Sequence, residues 1–175
     1  KAKTVIDTAH YLSRYCDVYK AEFPGTMGVE SDAQLVDNLK RLNDPDFEVD
    51  VGFVQGGLAS GQKTDELESL GSVFYEPVAV FYRSARPLSR LSALKGRRIS
   101  IGPEGSGARA LALTLLKSND IEPGGSTTLL SLAGDDAVQA LLTRKIDAVI
   151  LMGDSANPAA FRKLLRAPGI RLFDF

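Results

Sequence analysis

The run Arg98-Ile-Ser-Ile-Gly-Pro-Glu-Gly-Ser-Gly107, followed directly by Ala108-Arg-Ala-Leu-Ala-Leu-Thr-Leu-Leu-Lys117, has the residue types and order to hold an anion. Ile99 and Ile101 read as a short strand, Gly102, Gly105 and Gly107 permit a tight turn with positive φ, and a helix follows. The first amides of a helix have no intrahelical acceptor and lie at the positive end of its dipole, which suits a carboxylate or phosphate. A glycine-rich βα connection that binds nothing has the same pattern, so the remaining sequence has to decide.

Other chemistry finds little support. His10 is the single histidine and has no partner at metal-ligand spacing, so neither a zinc site nor a Ser-His-Asp triad is expected. No segment fits Gly-x-x-x-x-Gly-Lys-Ser/Thr, and Gly102–Gly107 departs from the Gly-x-Gly-x-x-Gly dinucleotide fingerprint. No catalytic residue, metal ligand or cofactor is therefore expected. Cys16 is the single cysteine and cannot form an internal disulfide; its place in the pattern Tyr11, Leu12, Tyr15, Cys16, Tyr19 suggests packing.

A chain of 175 residues with 44% hydrophobic content can bury a real core in one domain or two small lobes. Its 21 basic and 22 acidic residues give a net charge of -1, with no footprint for nucleic acid or for a polybasic membrane contact. No apolar run reaches the length that would span a bilayer, and these residues show no signal-peptide pattern; because the sequence opens on Lys1 rather than Met, a targeting segment trimmed from it is the expectation.

The elements that must position the turn alternate. Strands are expected near Gly25–Glu30, Val49–Val54, Val73–Arg83, Arg98–Gly102, Thr127–Ser131, Asp147–Met152 and Arg171–Phe175, and helices over Ala9–Ala21, Ala33–Leu42, Gly107–Asn119, Asp135–Arg144 and Pro158–Leu165. Thr8 and the Gly134-Asp135 turn are candidate N-caps. The alternation implies an α/β fold with mostly parallel sheets flanked by helices. Pro77 lies where a central strand should not have a proline, so the chain is expected to pass between two sheets there, dividing a first lobe, 1–77, from a second, 78–175.

Ligands of open α/β sheets sit beyond the carboxyl ends of strands. The residues that follow the strands are Glu30-Ser31-Asp32, Gln55-Gly56-Gly57, Tyr75-Glu76, Gly102–Gly107 and Gly153-Asp154-Ser155. Gly105, Ser106 and Gly107 are the anion-holding candidates. Gln55 reads either as a donor and acceptor for a ligand, beside Gly56 and Gly57 where a backbone can approach closely, or as a solvated amide. Glu76 could meet an ammonium group or serve the crossover, and Tyr75 could reach a ligand with its hydroxyl. Asp154 and Ser155 could line a wall, or Asp154 could cap the helix near Asn157-Pro158. Arg109 could add a bidentate contact or stay exposed.

Three segments resemble a known family. Asp50-Val-Gly-Phe-Val-Gln-Gly-Gly57, Leu70-Gly-Ser-Val-Phe-Tyr-Glu-Pro-Val-Ala-Val-Phe-Tyr-Arg83, and Leu91–Gly107 with the later Lys145-Ile-Asp-Ala-Val-Ile150 are similar in kind and order to the TAXI-type solute receptors of TRAP transporters, within the type II periplasmic binding proteins. The likeness covers about residues 31–175. It implies a two-lobed fold, of which this chain would be less than the full family length. It also implies non-catalytic binding of a small carboxylate-bearing solute, an amino acid or organic acid, between the lobes, hinge closure, delivery to a membrane transporter, and a location that is periplasmic or membrane-anchored facing the periplasm. Lys3–His10 departs from the family by lacking the glycine-rich opening loop. The same fold could instead serve as the effector-binding sensor of a regulator, so that alternative stays open.

Overall fold

The computed structural model describes residues 26–27, 32–54, 66–72 and 75–175. The chain divides into two compact units, Lys1–Tyr75 and Glu76–Phe175. The expected helix Ala9–Ala21, with Thr8, His10 and Cys16, lies outside the described residues.

In the first unit, β1 (Thr26–Met27) pairs in parallel with β2 (Val51–Gly52), and α1 (Asp32–Leu42) connects them as the crossover that parallel strands require. Asp37 pairs with Lys40 and Arg41 one helical turn on. Leu39 and Asn38 are buried, and the Asn38 amide donates to the Phe53 carbonyl at 2.9 Å, tying α1 to the chain beyond β2.

The second unit is built on five strands: β3 (Val78–Arg83), β4 (Arg98–Ser100), β5 (Thr128–Leu130), β6 (Ala148–Met152) and β7 (Ile170–Leu172), in the order β5-β4-β6-β3-β7. Three helices cover it: α2 (Gly107–Lys117), α3 (Gly134–Leu142) and α4 (Pro158–Leu165). β6 is buried along its whole length, Ala-Val-Ile-Leu-Met, as a strand with helices on both faces must be. Its period-2 alternation divides the core. Ala148 and Ile150, with Val80, Tyr82, Ile99 and Ile101, pack on Ala112 and Leu116 of α2. Val149 and Leu151, with Ala79 and Phe81, pack on Ala137, Val138 and Leu141 of α3 and Ala160 and Leu164 of α4. Fully burying side chains of this size contributes about 1.5–3 kcal/mol each.

The sheet is mixed rather than mostly parallel in its pairing. β4 is parallel to β5 and β6, but β3 is antiparallel to both of its neighbours, β6 and β7. The connection explains this. A parallel return needs a crossover, usually a helix, whereas residues 84–97 hold only the short 3-10 turn Leu91–Leu94. β4 therefore starts from the edge at which β3 ends and runs the other way.

β3 begins at Val78 rather than Val73, because Pro77 has no amide to give a ladder. α3 begins one residue earlier than expected, with Ala133 at the N-cap and no side-chain cap, so Asp135 sits inside the first turn and pairs with Lys163. β7 covers Ile170–Leu172 and stops short of the expected Phe175.

Candidate functional site

The directions of the strands set which loops share an end. β4, β5 and β6 are parallel, so the residues that follow them, 101–106, 131–133 and 153–157, lie along one carboxyl edge. β3 runs the opposite way and Val78 pairs with Met152, so Glu76 and Pro77 arrive at that same edge. Of the sequence-derived candidates, the second unit thus brings Glu76, Gly105, Ser106, Gly107, Asp154 and Ser155 to one end of its sheet. Tyr75 belongs to the first unit and is 94% exposed. Gln55, Gly56 and Gly57 lie outside the described residues.

The turn after β4 has the conformation that its glycines permit. Gly102 has φ of +90° and Gly105 of +76°, values that side chains on Cβ disfavour. Space is also short at Gly102, where a Cβ would come within 3.2 Å of the Ser106 hydroxyl. Ser106 is the N-cap of α2. Its Oγ accepts from the Arg109 amide at 3.2 Å and donates to the Pro103 carbonyl at 2.8 Å. A hydroxyl has one proton, so a contact from Ser106 Oγ to a carboxylate would have to displace the Pro103 bond. The donors left at the helix start are backbone ones: the amides of Gly107 and Ala108, the first two residues of α2, have no intrahelical acceptor.

Arg109 stands in the first turn of α2, with its side chain 23% exposed. Its Nη1 donates to the Ser131 hydroxyl at 2.9 Å and to the Gly102 carbonyl at 3.4 Å. Among the described residues its other nitrogens meet only the outlying Glu104 carboxylate, at 3.9 Å. A cation beside the positive end of a helix is unfavourable by itself. Ser131 and Gly102 hold it there regardless, and a bound anion would offset that cost.

Ser131 was not among the strand-end residues singled out from sequence, although the same rule applied to Thr127–Ser131 points to it. The residues at this edge include five acids by type, Glu76, Glu104, Asp135, Asp136 and Asp154, against one arginine, Arg109.

Ser155 closes its own turn: its Oγ accepts from the Met152 amide at 2.9 Å and donates to the Met152 carbonyl at 2.7 Å. The cap of α4 is Asn157, whose Oδ1 accepts from Ala159 and Ala160 at 3.1 and 2.9 Å, so the capping role considered for Asp154 falls to Asn157.

The opposite edge has a different character. Arg98 at the start of β4 makes a two-pronged pair with Asp147, Nε to Oδ2 at 3.0 Å and Nη2 to Oδ1 at 2.9 Å. The Arg98 amide adds a third bond to Oδ2 at 2.9 Å. The Arg98 guanidinium holds the Asp147 carboxyl below the usual carboxylate range, against a smaller opposing effect of burial. Among the described residues, no three His, Cys, Asp or Glu side chains gather as a metal site. No helix among them is long and apolar enough to cross a membrane.

Several solved structures resemble parts of the chain. The periplasmic aliphatic sulphonate binding protein of Escherichia coli aligns over 82% of this chain and 56% of its own, at 14% identity and a TM-score of 0.45. The substrate binding protein of an amino acid ABC transporter aligns over 57% of this chain and 38% of its own, at 16% identity and a TM-score of 0.40. An ABC transporter periplasmic binding protein from Brucella ovis, with glutathione bound, aligns over 58% and 31%, at 14% identity and a TM-score of 0.41. The chain thus spans between about a third and a little over half of the length of these three proteins. No curated protein sequence matches it. A family model does match, over residues 16–175, and the chain belongs to the NMT1-like family.

Proposed function

We propose that the chain binds a small carboxylate-bearing solute at the carboxyl edge of the second unit's sheet, without transforming it, for delivery to a membrane transporter on the periplasmic side. The observation that carries this reading is the Arg109 guanidinium, tethered by Ser131 and Gly102 in the first turn of α2, whose Gly107 and Ala108 amides have no intrahelical acceptor. A carboxylate placed there would take charge-assisted bonds worth about 1.5–3 kcal/mol each.

The excess of acidic residues over basic ones at this edge favours a solute that also carries an ammonium group. Glu76 is its natural counterpart on the same edge, which puts amino acids ahead of plain organic acids. Gly105 contributes by letting the turn approach the ligand, and Ser155 by holding the turn after β6. Gln55, Gly56, Gly57 and Tyr75 of the first unit, and Asp154, are retained as further contacts in this reading. The TRAP class of transporter and the TAXI type rest on the sequence resemblance alone.

The test is a thermal-shift screen against amino acids, dicarboxylates and short monocarboxylates. A ligand present at about a hundred times its Kd should add about 2.7 kcal/mol of stability. Amino acids are expected to stabilise the chain, and Ser106→Glu, which puts a negative charge at the helix start, is expected to abolish the effect. An unchanged affinity in Ser106→Glu, or no saturable shift with any acid in a chain that melts cooperatively, would overturn the assignment.

A further inference from the structure

The near-zero net charge conceals a division. Residues 1–75 carry 7 basic and 13 acidic side chains, whereas residues 76–175 carry 14 basic and 9 acidic. Within the second unit the basic residues collect at the amino edge, the end opposite the candidate ligand site. The connections there are 84–97, 118–127, 143–147 and 166–169. They hold Arg86, Arg90, Lys95, Arg97, Arg144, Lys145 and Arg166, with Arg98 and Arg171 in the first turns of the adjoining strands.

Only three acids answer them. Asp147 is taken by Arg98 and Asp120 by Lys95, which leaves Glu122. Arg86, Arg90, Arg144, Lys145 and Arg166 are exposed and make no ion pair among the described residues.

Helix C-termini attract cations, and α2, α3 and α4 all end at this edge. That accounts for Arg144, Lys145 and Arg166, near the ends of α3 and α4. It does not account for Arg86 and Arg90, which sit in a loop that no helix precedes.

We propose that this amino edge is an electrostatic docking surface for anionic phospholipid headgroups. A specific protein interface has an apolar or aromatic centre depleted of charge. This patch has no such centre: its one exposed large apolar side chain, Leu165, stands at the end of α4, it has no exposed aromatic, and between its basic residues stand Ala85, Pro87, Gly96, Pro168 and Gly169. Dispersed cations from several separate loops on one end of a sheet suit a delocalised planar charge, to which each Lys or Arg near the surface adds independently. Arginine predominates, and its fork matches phosphate oxygens. Docking by this edge turns the carboxyl edge, with Arg109 and the open helix start, away from the bilayer. The acidic first unit would be repelled by the same surface.

The experiment is co-sedimentation of the whole chain with vesicles of phosphatidylcholine containing about 30% phosphatidylglycerol, and with phosphatidylcholine alone, at about 50 and 300 mM salt. Binding is expected only to the anionic vesicles and is expected to weaken at the higher salt. The variant Arg144→Glu/Lys145→Glu is expected to lose at least about tenfold in partition. A second variant in the loop after β3, Arg86→Glu/Arg90→Glu, should lose as much and guards against misfolding of the first. The control Lys40→Glu/Arg41→Glu changes net charge equally in the first unit and is expected to bind as the parent does.

Absence of binding to anionic vesicles overturns the proposal, as does an equal loss in the control. So does salt-sensitive self-association that persists without lipid and vanishes in the edge variants, which would make a second copy the partner. None of these outcomes depends on solute binding at Arg109.

Discussion

The two ends of the second unit's sheet use arginine in opposite ways. At the amino edge Arg98 is fastened through two of its nitrogens: Nε and Nη2 meet both oxygens of Asp147, and Nη2 also reaches the Arg144 carbonyl at 2.9 Å. Arg83 likewise caps the end of α3 through the Leu141 carbonyl at 2.8 Å. At the carboxyl edge Arg109 is positioned through Nη1, and among the described residues its other donors face nothing closer than Glu104 at 3.9 Å. An arginine whose bonds are all internal fastens strands, and one held by a single corner can offer the rest to a ligand. Identical residue types at the two ends of the same strands therefore carry different work, and partner geometry distinguishes them where composition does not.

Four perturbations would break or sharpen this contrast. The largest effect belongs to the strand that joins the two ends: Ile150→Ala in β6 opens a void in the core and should cost about 2–5 kcal/mol, lowering the melting temperature by ten degrees or more on the scale of about 4–8 °C per kcal/mol for a unit of this size. Solute binding and the amino-edge contacts should both weaken, since both hang on β6.

Gly102→Val comes next. It places a β-branched side chain at φ of +90° with Ser106 Oγ in its way, and should cost about 1–3 kcal/mol while eliminating solute binding, as read by calorimetric titration. Stability loss with binding intact would show that the turn is only a connector.

Arg109→Ala should separate the functions of the two edges. We expect a change in chemical-denaturation stability within about 0.5–1 kcal/mol and a loss of affinity of tenfold or more. A large stability loss with little change in affinity would make Arg109 a second fastener like Arg98.

The smallest effect at neutral pH is expected from Asp147→Asn. The Asp147 carboxyl ionises more readily in the folded chain than in the unfolded one, so its pairing stabilises the fold above the ordinary carboxylate pKa of about 4 and fades as the pH falls through the folded value below it. Parent and variant should therefore differ by a few degrees at pH 7 and converge in melts carried out below about pH 4. A constant difference across that range would contradict the pairing.

Much of this layout was legible in the sequence because it depends on neighbours along the chain. Ala148–Met152 announces a strand buried on both faces, Gly102 and Gly105 announce a turn with positive φ, and Pro77 forbids a continuous strand across it. The helices over Gly107–Lys117 and Pro158–Leu165 followed from periodicity with their N-termini correctly placed. What stayed hidden depends on distant partners or on competing caps. Nothing in residues 84–97 states that β3 lies between two strands that occur much later. The Arg109–Ser131 bond spans 22 positions and two elements. Asn157 and Asp154 are both good caps by type, and only the helix start at Pro158 selects Asn157. Ser106 and Ser155 looked like ligand donors because a hydroxyl's prior engagement with its own turn is not written in its identity.

The antiparallel insertion of β3 also bears on how the chain acquires its structure. Residues 78–82 pair with partners about 70 positions later, in β6, and 81–83 with partners nearly 90 positions later, in β7. During synthesis β3 leaves the ribosome with Val80, Phe81 and Tyr82, all later buried, and no strand to meet on either side. It must wait for almost the whole unit to follow. Contacts so distant in sequence slow folding and prolong the exposure of sticky segments. A nascent chain halted before Ala148 would hold β4 and β5 as a parallel pair and leave β3 bare, which makes that interval the point at which a chaperone has most to protect.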